Sequence, residues 1–140
     1  LLLLTDDGKL QHAIAHPRRK QPKTYLAQVE GLATPEALQR LRNPLDLGDF
    51  VTQPGEARLI QEPAWMWPRT PPIRQRANQP TSWIALTISE GKNRQVRRMT
   101  AAVGLPTLRL VRIAIGPFSL ATHPVMPGEW REVDPQELDA

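Results

Sequence analysis

Strand and helix patterns alternate along this chain, and the alternation restricts the fold more than any other feature. Lys23–Glu30 alternates between two sets of side chains, as a strand does, and further strand patterns occupy 83–89 and 108–115. Helical patterns lie between these strands, and no internal repeat is visible. We therefore predict one α+β domain over residues 1–140, with a mixed, mainly antiparallel sheet and flanking helices.

Capping residues predict where the two main helices begin. Thr34 followed by Pro35 is typical of a helix start, and this helix should run to about Arg42. Asn93 is expected to cap a second helix over 94–103, which a glycine then ends. On this second helix, valine and methionine fall on one side and arginine on the other, so it should face both the core and the solvent.

The ends of the chain and one central stretch carry weaker patterns. The four leucines before Thr5 predict the end of a buried strand, because an apolar run stops there at a turn. A short helix is expected at 11–16, and 130–133 is expected to pair with the strand at 108–115. Residues 62–80 are too rich in proline for a central strand or a helix, so we predict a long ordered loop or insertion.

Basic residues are concentrated in two parts of the sequence. Five lie between Asp7 and Glu30, and six lie between Glu90 and Glu129, with no acidic residue in either interval. This distribution predicts a basic face for a polyanion. Nucleic acid fits better than a membrane, because the chain has no lysine-rich amphipathic helix with aromatic anchors.

Cysteine and histidine usage restricts the chemistry. The chain has no cysteine, which excludes disulfides and thiolate catalysis and is compatible with a reducing compartment, so the cytoplasm is the expected location. His12, His16 and His123 show no spacing that builds a metal site, and we expect none.

The strongest local motif is residues 90–99, which read EGKNRQVRRM. Guanidinium groups and the free N–H groups at a helix start both favour phosphate oxygens. A solvated face of an amphipathic helix explains the same arginines. The turn is not a nucleoside-triphosphate loop, because the first glycine of that motif is missing and Asn93 replaces its serine or threonine.

Three motifs in order resemble the RsuA-like branch of RNA pseudouridine synthases. EGKNRQVRRM at 90–99 is similar to the third signature of that branch, and KTYLAQV at 23–29 is similar to its tyrosine motif. The leucine run that ends in LTDDG resembles the strand and turn after the catalytic aspartate, and LRLVRIAIGPF at 108–118 resembles the closing strand. Within the branch, 62–83 resembles a type that acts on large-subunit ribosomal RNA.

The resemblance implies the site residues. Tyr25 would lie against a flipped uracil, and Arg97 would pair with the catalytic carboxylate, with neither metal nor cofactor needed. Residues assigned to RNA phosphates are Lys92, Arg94, Arg98, Arg18, Arg19 and Lys20. The function implied is the isomerisation of a uridine in large-subunit ribosomal RNA. Without the resemblance, a half-buried strand tyrosine with a satisfied hydroxyl group is the favoured interpretation.

The resemblance also implies that the nucleophilic aspartate precedes Leu1. Asp6 and Asp7 follow the leucines and fit turn positions instead. We therefore expect the polypeptide as given to be inactive, and to associate with an N-terminal segment along an exposed sheet edge. The sequence does not indicate an oligomeric state.

Two other functions fit part of the pattern. A noncatalytic RNA-binding module would use the same basic residues, and a purely structural interaction domain would use none of them. Trp65 and Trp67 are followed by Arg69, Arg74 and Arg76, and they could stack on RNA or could hold the proline-rich loop against the domain.

Overall fold

A five-stranded antiparallel sheet organises the residues that the computed structural model describes, which are 1–15, 21–68 and 80–139. Its strands are β1 Lys23–Glu30, β2 Glu56–Ile60, β3 Thr81–Ile88, β4 Thr107–Ile115 and β5 Phe118–Ser119. Their spatial order is β2-β3-β1-β4-β5, so the first strand lies at the centre. The α+β class and the mainly antiparallel sheet are confirmed.

Three α-helices and a terminal 3-10 helix accompany the sheet in the described ranges. They are α1 Gly8–Ala15, α2 Pro35–Arg42, α3 Gln95–Ala102 and the 3-10 helix Pro135–Asp139. α2 confirms its predicted start, since the Thr34 hydroxyl oxygen accepts a hydrogen bond from the Ala37 N–H at 3.2 Å. No described helix is long and apolar enough to cross a membrane.

The two faces of the sheet bury different side chains, because successive residues of a strand point to opposite faces. The face covered by α2 and α3, called the helix face below, carries the larger cluster among the described residues. Its buried members are Ala27, Val29, Leu38, Leu41, Leu45, Ala57, Ile84, Leu86, Ile88, Val96, Met99 and Leu105. The opposite face, called the loop face, buries Leu26, Trp83 and Ala85, with Ile60, Met66 and Ile113 packed against them.

The strands predicted near the two ends of the chain are wrong. The leucine run has no strand structure, and Leu2 and Leu4 are 68% and 87% exposed. An apolar run is buried only where another surface packs against it. Within the described ranges, the leucine run is hydrogen-bonded to the sheet through Leu1, which contacts Arg112 of β4. Residues 130–133 form no strand either, because β4 turns at Gly116 and pairs with β5 instead.

Helix starts also differ from the predictions. α1 begins at Gly8 rather than at residue 11, because Asp7 Oδ1 accepts hydrogen bonds from the N–H groups of Lys9 at 2.9 Å and Leu10 at 3.3 Å. The predicted cap Asn93 is wrong as well. Arg94 occupies the cap position of α3 in a left-handed conformation, with φ 54°, and no side chain caps this helix.

Candidate active site

The turn between β3 and α3 is anchored by a buried carboxylate. Glu90 is 4% exposed, and its Oε1 accepts hydrogen bonds from the Gln53 N–H at 3.0 Å and the Gln95 side-chain amide at 3.2 Å. Hydrogen bonds to a charged group are stronger than those between neutral groups. Glu90 therefore ties the start of α3 to the chain before β2.

Gln95 connects this anchor to the turn that carries Lys92 and Arg94, called the basic turn below. Its side-chain oxygen accepts the Lys92 N–H at 3.3 Å, and its own N–H donates to the Lys92 carbonyl oxygen at 3.1 Å. The left-handed backbone at Arg94 costs energy in any residue but glycine, and such strain persists only where surrounding contacts hold it. Sequence reasoning missed Glu90 and Gln95 as supports, although a carboxylate directly after a buried strand was a usable signal.

Arg97 lies on α3 with its side chain half-buried. Within the described ranges, its guanidinium group makes no hydrogen bond or ion pair, while its carbonyl oxygen accepts from the Thr100 hydroxyl at 3.2 Å. A partly desolvated cation attracts an anion more strongly than a fully solvated one. This guanidinium can therefore hold a carboxylate or a phosphate that approaches α3.

Tyr25 lies on the central strand, with its ring on the helix face. It is opposite Leu86 on β3 and Arg112 on β4, and it packs half-buried against the cluster that includes Val96 and Met99 of α3. The structure thus places Tyr25 on the same side of the sheet as the helix that carries Arg97. No hydrogen bond joins the two side chains.

Arg98 has a partner in the chain itself. Its guanidinium group forms an ion pair with Asp49 and donates a hydrogen bond to the Leu47 carbonyl oxygen at 3.0 Å. Hydrogen bonding from Arg98 holds the pKa of the Asp49 carboxyl group below its ordinary value, and the same contact raises the pKa of Arg98. The predicted phosphate contact of Arg98 is therefore in competition with Asp49.

Of the other basic residues assigned to RNA, two lie in the described ranges and three lie outside them. Lys92 and Arg94 are exposed to solvent at the turn before α3. Arg18, Arg19 and Lys20 lie outside the described residues, as do Arg69, Arg74 and Arg76 of the proline-rich stretch. Their assignment to RNA stays a prediction. In the described ranges, no three histidine or acidic side chains are grouped to bind a metal ion.

The proline-rich stretch reaches the loop face through its first residues. Met66 packs against the loop-face cluster, whereas Trp65 and Trp67 are 52% and 39% exposed. The Arg109 guanidinium lies 5.0 Å from the centre of the Trp67 ring, which is cation–π geometry. A cleft of about 670 Å³ beside Trp67 is lined by the leucine run and 125–133, and neither Tyr25 nor Arg97 lines it.

Comparisons with known proteins agree with the motif analysis. The family model of RNA pseudouridylate synthase matches residues 1–102. A protein of Xanthomonas campestris named ribosomal large subunit pseudouridine synthase E is 54% identical over 134 residues, which cover 96% of this chain and 71% of the relative. A Vibrio vulnificus protein of the same name is 50% identical, covering 95% of this chain and 56% of the relative.

A solved structure described as a pseudouridylate synthase also matches the fold. It superposes with a TM-score of 0.74 at 25% sequence identity, over 96% of this chain and 51% of that one. The chain thus spans between 51% and 71% of the length of these three proteins. Because the family model covers most of the chain and the relatives share half of its residues, this chain belongs to the RNA pseudouridylate synthase family.

Proposed function

We propose that this chain takes part in converting a uridine to pseudouridine in large-subunit ribosomal RNA. The relatives from Xanthomonas campestris and Vibrio vulnificus carry the name of large-subunit enzymes, and they match almost the whole chain. The structural observation that supports the proposal most is Arg97. It is a half-buried cation without an acidic partner in the described ranges, on the helix that covers the Tyr25 side of the sheet.

The reaction requires a site that captures a base and keeps it. Uridine loses its bond between N1 and the sugar, and the same uracil is rejoined to the sugar through C5, so no atom enters or leaves overall. The base must first leave the RNA stack. In this proposal the Tyr25 ring stacks on the extruded uracil, and its phenol group is available for proton transfer.

The position of Leu1 supports the assignment of the nucleophile. The Leu1 backbone nitrogen donates to the Arg112 carbonyl oxygen at 2.7 Å, and Arg112 Nε donates to the Leu1 carbonyl oxygen at 2.8 Å. Arg112 is the register partner of Tyr25. Leu1 therefore contacts the β4 residue that lies opposite Tyr25. An aspartate shortly before Leu1, as the resemblance implies, would start close to this part of the site.

Arg97 and the basic turn take different roles in the proposal. Arg97 pairs with the nucleophilic carboxylate, keeps it ionised and aims it at the sugar. Lys92, Arg94 and Arg98 bind phosphates around the extruded nucleotide, and Arg18, Arg19 and Lys20 extend that contact.

The proposal can be tested by tritium release. We would join the chain to the N-terminal segment of the Xanthomonas campestris relative and supply large-subunit ribosomal RNA labelled with tritium at C5 of uridine. Pseudouridine formation removes the hydrogen at C5, so tritium enters the water as turnover proceeds. We expect release by the joined protein and none by its Tyr25→Ala variant, while Tyr25→Phe separates stacking from proton transfer.

The same experiment tests the alternative of a noncatalytic RNA-binding module. Such a module would bind the RNA with a strong salt dependence and release no tritium in any form of the chain. RNA binding without release in the joined protein would therefore contradict the proposal and favour the module.

A further inference from the structure

The Arg98 guanidinium group holds a carboxylate in the geometry that it would use for a phosphate. Nη1 donates to Asp49 Oδ2 at 3.2 Å, and Nη2 donates to Asp49 Oδ1. Two parallel N–H donors facing two oxygens of one anion is the fork by which arginine binds carboxylates and phosphates alike. Asp49 thus occupies an anion site within the predicted RNA-binding surface.

A second cation belongs to the same site. Lys92 Nζ and the Arg98 guanidinium carbon lie 5.6 Å and 5.5 Å from the centre of the Phe50 ring. Both distances are within cation–π range, so the ring positions two cations beside one carboxylate. Lys92 also contributes, after Arg98, to the lowered pKa of Asp49. The site therefore carries one more positive charge than negative charge.

The Asp49 carboxylate can leave this site without disturbing the core. Its side chain is 64% exposed, and that of Arg98 is 35% exposed. The turn around it is held by other contacts, since Asp46 Oδ1 accepts the Gly48 N–H at 2.9 Å and Leu47 N–H donates to the Phe50 carbonyl oxygen at 2.9 Å. Exposed ion pairs contribute little to stability, so a competing anion can displace this carboxylate.

We propose that Asp49 is an internal counter-anion that occupies a phosphate site made by Lys92 and Arg98, and that a backbone phosphate of the RNA displaces it. The ligand class rests on the function proposed above, whereas the site rests on the contacts of Asp49. Because Asp49 occupies the Arg98 guanidinium group and adds a negative charge, it weakens the binding of any polyanion that does not displace it. RNA that places a phosphate there recovers the interaction.

The test compares two aspartates of one turn. Asp49→Asn and Asp46→Asn remove the same charge, and asparagine at 46 still accepts the Gly48 N–H. We would measure the Kd of each variant for a fluorescein-labelled single-stranded RNA at several salt concentrations. Asp49→Asn should tighten binding by up to about fivefold, the factor expected for an exposed ion pair, and Asp46→Asn should change it much less.

A double-mutant cycle shows whether the effect passes through Arg98. In an Arg98→Ala background, Asp49→Asn should give only the small change seen with Asp46→Asn. Equal tightening by the two aspartate variants, or a gain that survives Arg98→Ala, would overturn the proposal. Asp49→Ser removes the same charge and should tighten RNA binding in the same direction as Asp49→Asn. Thermal unfolding verifies that each variant is folded.

The two proposals fail in different ways. If the unsubstituted chain does not bind RNA at low salt, both the RNA function and this site are rejected. If it binds RNA and the two aspartate variants behave alike, the counter-anion is rejected and the RNA function stands.

Discussion

The two faces of the sheet differ in how they are covered and in what they carry. On the helix face, α2 and α3 complete a continuous buried cluster with β1 and β3, and Tyr25 packs at its margin. On the loop face, a smaller cluster is covered by side chains such as Met66 from an irregular segment. The candidate site therefore belongs to the face that the helices cover, whereas the tryptophans belong to the other.

Arg97 and Arg109, one on each side of the sheet, differ in the contacts that their guanidinium groups make. The Arg97 guanidinium group on α3 makes no hydrogen bond or ion pair within the described ranges, while that of Arg109 on β4 lies over the Trp67 ring. A cation with no partner is available to a carboxylate or to RNA, and one that is stacked on a ring has a structural contact to lose. The comparison teaches that the arginines of this chain lie in different environments, so one role does not fit all of them.

The largest expected effect is on turnover. In the chain joined to the relative's N-terminal segment, Arg97→Ala should reduce kcat by about 10²–10³-fold, since a preorganised charge beside the reacting groups is lost. Arg109→Ala removes the same side chain from the loop face and should leave kcat nearly unchanged. Tritium release measures both.

Similar losses in the two arginine variants would break this comparison. They would indicate that net positive charge, rather than position, determines activity. Circular dichroism of both variants controls for misfolding, and rescue by Arg97→Lys would indicate that charge without the guanidinium fork suffices.

The next largest expected effect is on the free energy of unfolding, when one buried leucine on each face is replaced by alanine. Leu86 and Leu26 are both buried, on the helix face and the loop face respectively. Leucine-to-alanine changes in cores cost about 2–5 kcal/mol, depending on how far the site can collapse. We expect Leu86→Ala near the top of this range and Leu26→Ala near its bottom, as measured by urea unfolding. The reverse order would mean that the irregular segment packs more rigidly than the helices.

The sequence predicted the features that short-range chemistry determines. The predicted strand Lys23–Glu30 has the bounds found in the structure, because alternation along a strand can be recognised without its neighbouring strands. The helix opened by Thr34 was also correct, since its cap hydrogen bond lies within four residues. The RNA pseudouridine synthase family is confirmed as well, because three motifs in order are specific together.

Features that depend on distant partners were not predictable in the same way. Whether the leucine run is buried depends on β4, and the role of Glu90 depends on Gln53, which lies 37 residues away in the sequence. Asp49 is 49 residues from Arg98, so no local pattern indicated their pairing. The positions of Tyr25 and Arg97 on one side of the sheet follow from the same long-range topology.

The smallest expected effect distinguishes the two roles considered for the tryptophans. If Trp67 holds the proline-rich segment on the loop face, Trp67→Ala and Arg109→Gln should be coupled by about 0.5–1 kcal/mol in the free energy of unfolding, the size of an exposed cation–π contact. RNA affinity should then be the same with and without the Trp67 ring. If the ring stacks on RNA instead, Trp67→Ala should weaken binding by about 1–3 kcal/mol and show little coupling to Arg109 in unfolding. The first outcome keeps RNA recognition with the helix-face site and its basic turn, while the second extends it to both faces of the sheet.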